Sequence, residues 1–256
     1  MRTIAIMNNK GGVGKTVTAI NLADILVRDH GKKVVLVDCD GQANLTRFFL
    51  PCLDTENGQF LTTADVLTGD CEQVWSDNLL PVRDGLDILP SSSGLYDLDM
   101  DAIMDGRSAP EHMVQFVNAA RDEADTDFFI FDCPPGYTVA SVAALLAADE
   151  VVIPVTADAF SIDGVTAVMR QVRTIQRTRT GLTATALLTQ VRSADVVTEG
   201  EKLLRSRGVK IFPTRIRRTD KVPESTISLT PLAQYSAGSA AARDYRAWVR
   251  ELLGEV

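Results

Sequence analysis

Residues Asn9-Lys10-Gly11-Gly12-Val13-Gly14-Lys15-Thr16 lie between an apolar run, Ile4-Ala5-Ile6-Met7, and a helical stretch, Thr16 to Arg28. A glycine-rich loop leaving a strand and opening a helix is the setting that wraps a phosphate group. Glycines let backbone N–H groups curl around the oxygens, and the helix N-terminus adds its positive end. Gly11, Gly12, Val13 and Gly14 form the expected cradle, and Val17 follows it. Lys15 is placed to reach the β- and γ-phosphates of a nucleotide, and the Thr16 hydroxyl to coordinate Mg²⁺. Asn9 stands where the generic pattern has glycine.

Further apolar runs recur along the chain: Val34 to Val37, Phe128 to Phe131, Val151 to Val155, Thr185 to Leu188 and Val209 to Phe212. They are nearly continuous in apolar residues rather than alternating, as expected for strands covered on both faces of a parallel sheet. Helical patterns at Val139 to Ala147 and Gly164 to Arg179 separate them. This alternation predicts an α/β fold, a doubly wound, mostly parallel sheet with helices on both faces. No repeat or linker divides the 256 residues, so a single domain over 1–256 is expected. Between Pro51 and Gly94 the pattern breaks up. There Thr62 to Leu67 reads as a turn or two of helix, Leu86 to Leu89 as a short strand, and Tyr96 to Gly106 as a surface helix with a solvated acidic face.

The formal net charge of −8 argues at first against a nucleic-acid partner. Its distribution reverses that inference. Residues 1–164 carry 10 Lys+Arg and 26 Asp+Glu, whereas residues 165–221 carry 13 and 4. A local basic face can bind a polyanion whatever the total. No apolar stretch approaches the roughly 18 to 20 residues of a membrane-spanning helix. Met1 to Met7 leads straight into the loop, leaving no room for a signal peptide. Cys39, Cys52, Cys71 and Cys133 match neither a zinc pattern nor a disulfide framework, which suits reduced thiols in the cytoplasm.

Lys10 stands too early in the loop to serve its own γ-phosphate in the usual way. Lys10 to Thr16 matches the pattern Lys-Gly-Gly-x-Gly-Lys-Thr, and on it the chain resembles the deviant Walker A P-loop NTPases, within them the ParA/Soj chromosome- and plasmid-partitioning ATPases. Asp38-Cys39-Asp40-Gly41-Gln42-Ala43-Asn44 is similar to that family's switch segment, with Gly41 where proline is usual. Phe128 to Asp132, followed by Cys133-Pro134-Pro135, has the form of a Walker B strand whose carboxylate holds Mg²⁺. The resemblance implies that Lys10 crosses a dimer interface to the partner's nucleotide. It also implies that Asp40 orients the attacking water and that Asp38 supports Mg²⁺ and its waters. Lys10, Lys15 and Asp40 are thus the expected catalytic residues, and Thr16, Asp38 and Asp132 the expected metal residues. Val17 replaces a threonine that contacts the α-phosphate in relatives. Gln190, Arg192 and the Pro213 region occupy places where relatives contact adenine. No Asn-Lys-x-Asp guanine-recognition segment occurs near the later strands.

By the same resemblance, ATP and Mg²⁺ drive a sandwich homodimer that binds double-stranded DNA without sequence preference and associates with the nucleoid. Arg192, Arg215, Arg217 and Arg218 are the DNA-binding candidates, since arginines on a loop suit phosphate contacts. A ParB-like adaptor would stimulate slow hydrolysis, and the N-terminal DNA-reading domain of larger relatives is expected to be absent. A MinD-like membrane switch is the competing reading of the amphipathic stretch Ala241 to Leu253. Its arginines are offset by acids, so core packing is the better account and no membrane is expected. An iron–sulfur ATPase of the same fold would need a second suitably placed cysteine beside Cys133.

Overall fold

The computed structural model describes residues 1–71, 74–105, 110–123, 125–192 and 194–255. Among them, eight strands form one sheet: β1 (Arg2–Ile6), β2 (Val34–Asp38), β3 (Leu80–Arg83), β4 (Leu86–Leu89), β5 (Phe128–Asp132), β6 (Glu150–Val155), β7 (Thr183–Leu188) and β8 (Lys210–Ile211). Their order is β3-β4-β2-β5-β1-β6-β7-β8. All pairs are parallel except β3 with β4. The helices are α1 (Lys15–His30), α2 (Asn44–Phe49), α3 (Thr63–Thr68), α4 (Gly94–Asp105), α5 (Glu111–Glu123), α6 (Val139–Ala147), α7 (Ala159–Ile175), α8 (Ala194–Ser206), α9 (Lys221–Ile227), α10 (Leu232–Tyr235) and α11 (Ala240–Leu253).

Strand β5 shows why the apolar runs are unbroken. Phe129 and Phe131 enter one core layer, with Trp75, Phe116 and the alanines of α6. Phe128 and Ile130 enter the opposite layer, with α1 and α11. Side chains alternate across a strand, so a strand with cores on both faces has no polar side to show. The α/β doubly wound sheet expected from the sequence is therefore present.

Several boundaries differ from the sequence expectation. β8 shortens to Lys210–Ile211, because it is an edge strand bonded only to β7. α7 ends at Ile175 rather than Arg179 and begins five residues before Gly164. The acidic surface helix spans Gly94–Asp105, and its expected end at Gly106 lies outside the described residues. The antiparallel strand β3 and helices α5 and α8 carry no expectation above. Pro81 sits in β3, where an edge position tolerates a residue that cannot donate to a ladder.

The C-terminal helix settles against the core. Trp248 and Val249 are fully buried, Tyr245 and Trp248 meet edge to face, and the helix packs on α1. The apolar face that a membrane would need is thus occupied. Among the described residues no helix is long and apolar enough to cross a membrane.

Candidate nucleotide site

The carboxyl ends of β1, β2 and β5 converge on one crevice, the place where an open parallel sheet offers loops to a ligand. The glycine loop leaves β1 there and runs into α1. Gly12 (φ 74°) and Gly14 (φ 91°) both adopt left-handed backbone, which explains glycine at each. The loop is pinned from three sides. Thr189 Oγ1 donates to Val13 O at 2.8 Å, and Gln190 Nε2 donates to Gly12 O at 2.6 Å. Asn8 Nδ2 donates to Pro154 O at 2.8 Å, while Asn8 Oδ1 accepts from Lys10 N at 3.0 Å. Asn8 therefore ties the loop to β6, a role invisible in the loop motif itself.

Lys15 is buried, and its ammonium donates to Lys10 O at 3.0 Å. Burial lowers its pKa below the usual lysine value, against the pull of Asp132, Cys133 and Asp40. Lys10 lies half-buried at the rim, its Nζ 2.8 Å from Asp158 Oδ1 in the same chain.

The acidic wall comes from adjacent strands, in which Asp38 and Asp132 face each other in register. Asp38 is fully buried and anchors the switch segment. Its Oδ2 accepts from Thr46 N (2.8 Å) and Thr46 Oγ1 (2.7 Å), which caps the start of α2, and its Oδ1 accepts from Asp40 N at 3.2 Å. Burial outweighs these bonds and raises its pKa from 3.8 to about 6. Asp132 is held well above the usual carboxylate range, first by burial and then by Asp38, although it accepts a hydrogen bond from the Thr16 side chain. Its Oδ1 is buried without a hydrogen-bond partner. Asp40 reaches the open cleft, with Oδ1 accepting from Gln42 N at 3.0 Å.

The cleft has a volume of about 640 Å³. Its floor includes Gly11, Gly12, Gly14, Lys15, Thr16 and Val17, and Asp40 stands on its wall. Val13 is buried beneath it. Pro213 does not line the cleft; it is exposed beyond β8. On this side the lining comes from Ile216 to Asp220, Val222 and Pro223, with Thr226 of α9 and Tyr245 of α11. Tyr245 shares a hydrogen bond with Thr18 across 3.2 Å, and burial raises its phenol to about 12.

Residues 216–218 run beside Val191 as a short parallel bridge, with Val191 N donating to Ile216 O and Arg218 N to Val191 O. That pairing gathers Arg192, Arg215, Arg217 and Arg218 around a second cleft of about 790 Å³, which shares a wall with the first. Arg215 is paired with Glu201 at 2.6 Å, and Arg217 forks onto Asp244 through Nε (2.9 Å) and Nη2 (2.6 Å). Part of the basic charge counted along the sequence is therefore answered locally.

A phosphate-binding loop, a buried acidic pair and a deep cleft beside them define a nucleotide site, and comparisons with known proteins agree. The family AAA_31, described as an AAA domain, matches residues 1–184. The chromosome-partitioning ATPase Soj of Thermus thermophilus is 33% identical over 264 residues, covering 100% of this chain and 97% of that protein. The fold resembles apo McdA of Cyanothece, with a TM-score of 0.84 at 22% identity over 99% of this chain and 100% of that one. It also resembles cobyrinic acid a,c-diamide synthase of Mycobacterium smegmatis, solved with an ATP analogue and magnesium. There the TM-score is 0.78 at 26% identity, over 99% and 94% of the two chains. The loop beginning at Lys10, the sheet around it and similarity across the full length identify the chain as an ATPase that belongs to the ParA/Soj-type partitioning ATPases of the MinD/ParA superfamily.

Proposed function

We propose that this chain, acting as one unit over residues 1–256, is an ATP-gated partitioning switch. In this reading the Gly11–Gly14 backbone and Lys15 hold the phosphates, and Asp40 orients the attacking water. Lys10 reaches the nucleotide of a second copy, so ATP stabilises a homodimer. Arg192, Arg215, Arg217 and Arg218 meet the phosphates of double-stranded DNA in that dimer. Hydrolysis, stimulated by a ParB-like adaptor, ends the DNA-bound state. The protein then cycles between the nucleoid and the cytoplasm.

The observation that carries the reading is Asp132 Oδ1, buried and unpartnered at the end of β5, on the same carboxylate that accepts from the Thr16 side chain. A desolvated anionic oxygen without a donor is costly unless a cation joins it. The residues fit Mg²⁺: Thr16 and Asp132 would hold it, with Asp38 behind them fixing the switch segment. Bound there, the ion would neutralise phosphate charge as it develops during transfer. Support for the DNA step is the wall shared by the arginine cleft and the nucleotide cleft, which gives ATP a direct route to the basic face.

The test is retention of linear duplex by wild type, Lys10→Ala and Asp40→Ala at low salt. ATP with Mg²⁺ should give wild-type binding that falls steeply as salt rises. Lys10→Ala should give none, and Asp40→Ala a persistent complex. Equal binding in ATP and ADP would sink the proposal.

A further inference from the structure

The segment between β2 and α2 carries Asp40, and the structure shows what holds it from outside. Asp40 O accepts from Ser91 Oγ at 2.7 Å and from Ala43 N at 2.8 Å. Its side chain caps Gln42 N. The Gln42 side chain in turn donates to the hydroxyl of Tyr96, in the first turn of α4. The Tyr96 ring lies directly over Gly41. A Cβ at residue 41 would stand 2.8 Å from Tyr96 Cζ and 2.9 and 3.0 Å from its two Cε atoms, closer than carbon atoms pack. Gly41 does not have left-handed backbone, so it is the ring rather than the φ angle that a side chain there would meet, and the ring or the segment would have to shift to admit one. Glycine at 41 and tyrosine at 96 therefore form a matched pair across the switch.

We propose that Tyr96 is a positioning residue for ATP hydrolysis, its ring and hydroxyl clamping Gly41-Gln42 so that the Asp40 carboxylate faces the cleft. This rests on the reading of Asp40 as the water-orienting group. Tyr96 does not line the nucleotide cleft. Its loss should therefore reach the chemistry without reaching ATP binding, which depends on the loop at residues 11–16.

The experiment compares kcat and KM for ATP, and affinity for a fluorescent ATP analogue, in wild type, Tyr96→Phe, Tyr96→Ala, Gly41→Ala, the double variant and Asp40→Ala. Tyr96→Phe keeps the ring and should lower kcat a few-fold. Tyr96→Ala and Gly41→Ala should each lower it about tenfold or more, with KM and affinity within about twofold, as expected for a misplaced catalytic group. In the Tyr96→Ala background, Gly41→Ala should cost nothing further, because the ring it strikes is gone. Multiplying losses in the double variant, or KM rising in step with falling kcat, would overturn the clamp. Wild-type kcat in both Tyr96 variants with Asp40→Ala inactive would overturn the Tyr96 role alone. Wild-type kcat in Asp40→Ala would overturn the reading of Asp40 on which the clamp rests.

Discussion

Replacing Asp38 by asparagine should make the metal-free, nucleotide-free protein more stable at high pH. Burial raises the Asp38 pKa from 3.8 to about 6 even though three N–H and O–H groups favour its charged form. A carboxyl whose pKa is higher when folded binds its proton more tightly in the folded state. Stability therefore falls as pH rises from about 4 to about 6 and stays at the lower level above. Just over two pH units at about 1.4 kcal/mol each amounts to roughly 3 kcal/mol. Asparagine never bears the charge, but it turns an NH₂ group toward Asp40 N or toward the Thr46 donors. The lost hydrogen bond costs about 1 kcal/mol. The net gain at pH 8 is about 2 kcal/mol, or roughly 4–8 °C in Tm for a chain of this size. At pH 4.5 the gain should vanish or reverse. Thermal unfolding followed by circular dichroism in EDTA, at both pH values, reads the difference. An Asp38→Asn variant no more stable than wild type at pH 8, or shifted equally at both pH values, would refute the reasoning.

Other perturbations test neighbouring parts of the site. Gly164→Ala would place a Cβ 2.6 Å from Asn8 Oδ1, the acceptor for Lys10 N. Titration with a fluorescent ATP analogue should show affinity weakened about tenfold, since even small displacements of a positioning group are costly. Asp158→Asn removes the charge that pairs with Lys10 at 2.8 Å. Such partly exposed pairs are worth about 0.2–1 kcal/mol, so the ATP-dependent dimer should tighten by up to about fivefold in sedimentation. Arg218→Ala should weaken DNA binding on every sequence alike and reduce the slope of log affinity against log salt by about 1. Arg217 should contribute less, because Asp244 already holds it.

Much of the fold was legible because its signals are local. A parallel strand with two buried faces must be apolar throughout, so β1, β2, β5 and β6 could each be read from four or five consecutive residues. The loop from Lys10 to Thr16 was equally local, since its chemistry depends on neighbouring backbone groups. What could not be read depends on pairs distant in sequence. Lys10 meets Asp158 across 148 residues, Asn8 meets Pro154 across 146, and Gln42 meets Tyr96 across 54. Nothing local in Gly41 announces a ring above it; only the departure from the usual proline marked the position. That Pro213 stands apart from the cleft lining is a matter of distant pairing too. The bridge of Val191 with Arg217 brings Ile216 to Arg218 to the cleft wall, and Pro213 does not line it. Asp38 shows a subtler limit. Its place beyond β2 was evident, but its bonds to Thr46 follow from where α2 begins. Charge counting likewise located the basic segment but not the pairing of Arg215 with Glu201 and of Arg217 with Asp244.

The central claim is that ATP, through Lys10 and the switch segment, joins two copies of this chain. Light scattering coupled to size exclusion measures it most directly, on Asp40→Ala to prevent turnover. With ATP and Mg²⁺ the account predicts twice the monomer mass, and with ADP a monomer. The further change Lys10→Ala should leave a monomer in both nucleotides. A monomer with ATP and Mg²⁺, or a dimer indifferent to nucleotide and to Lys10, would contradict it.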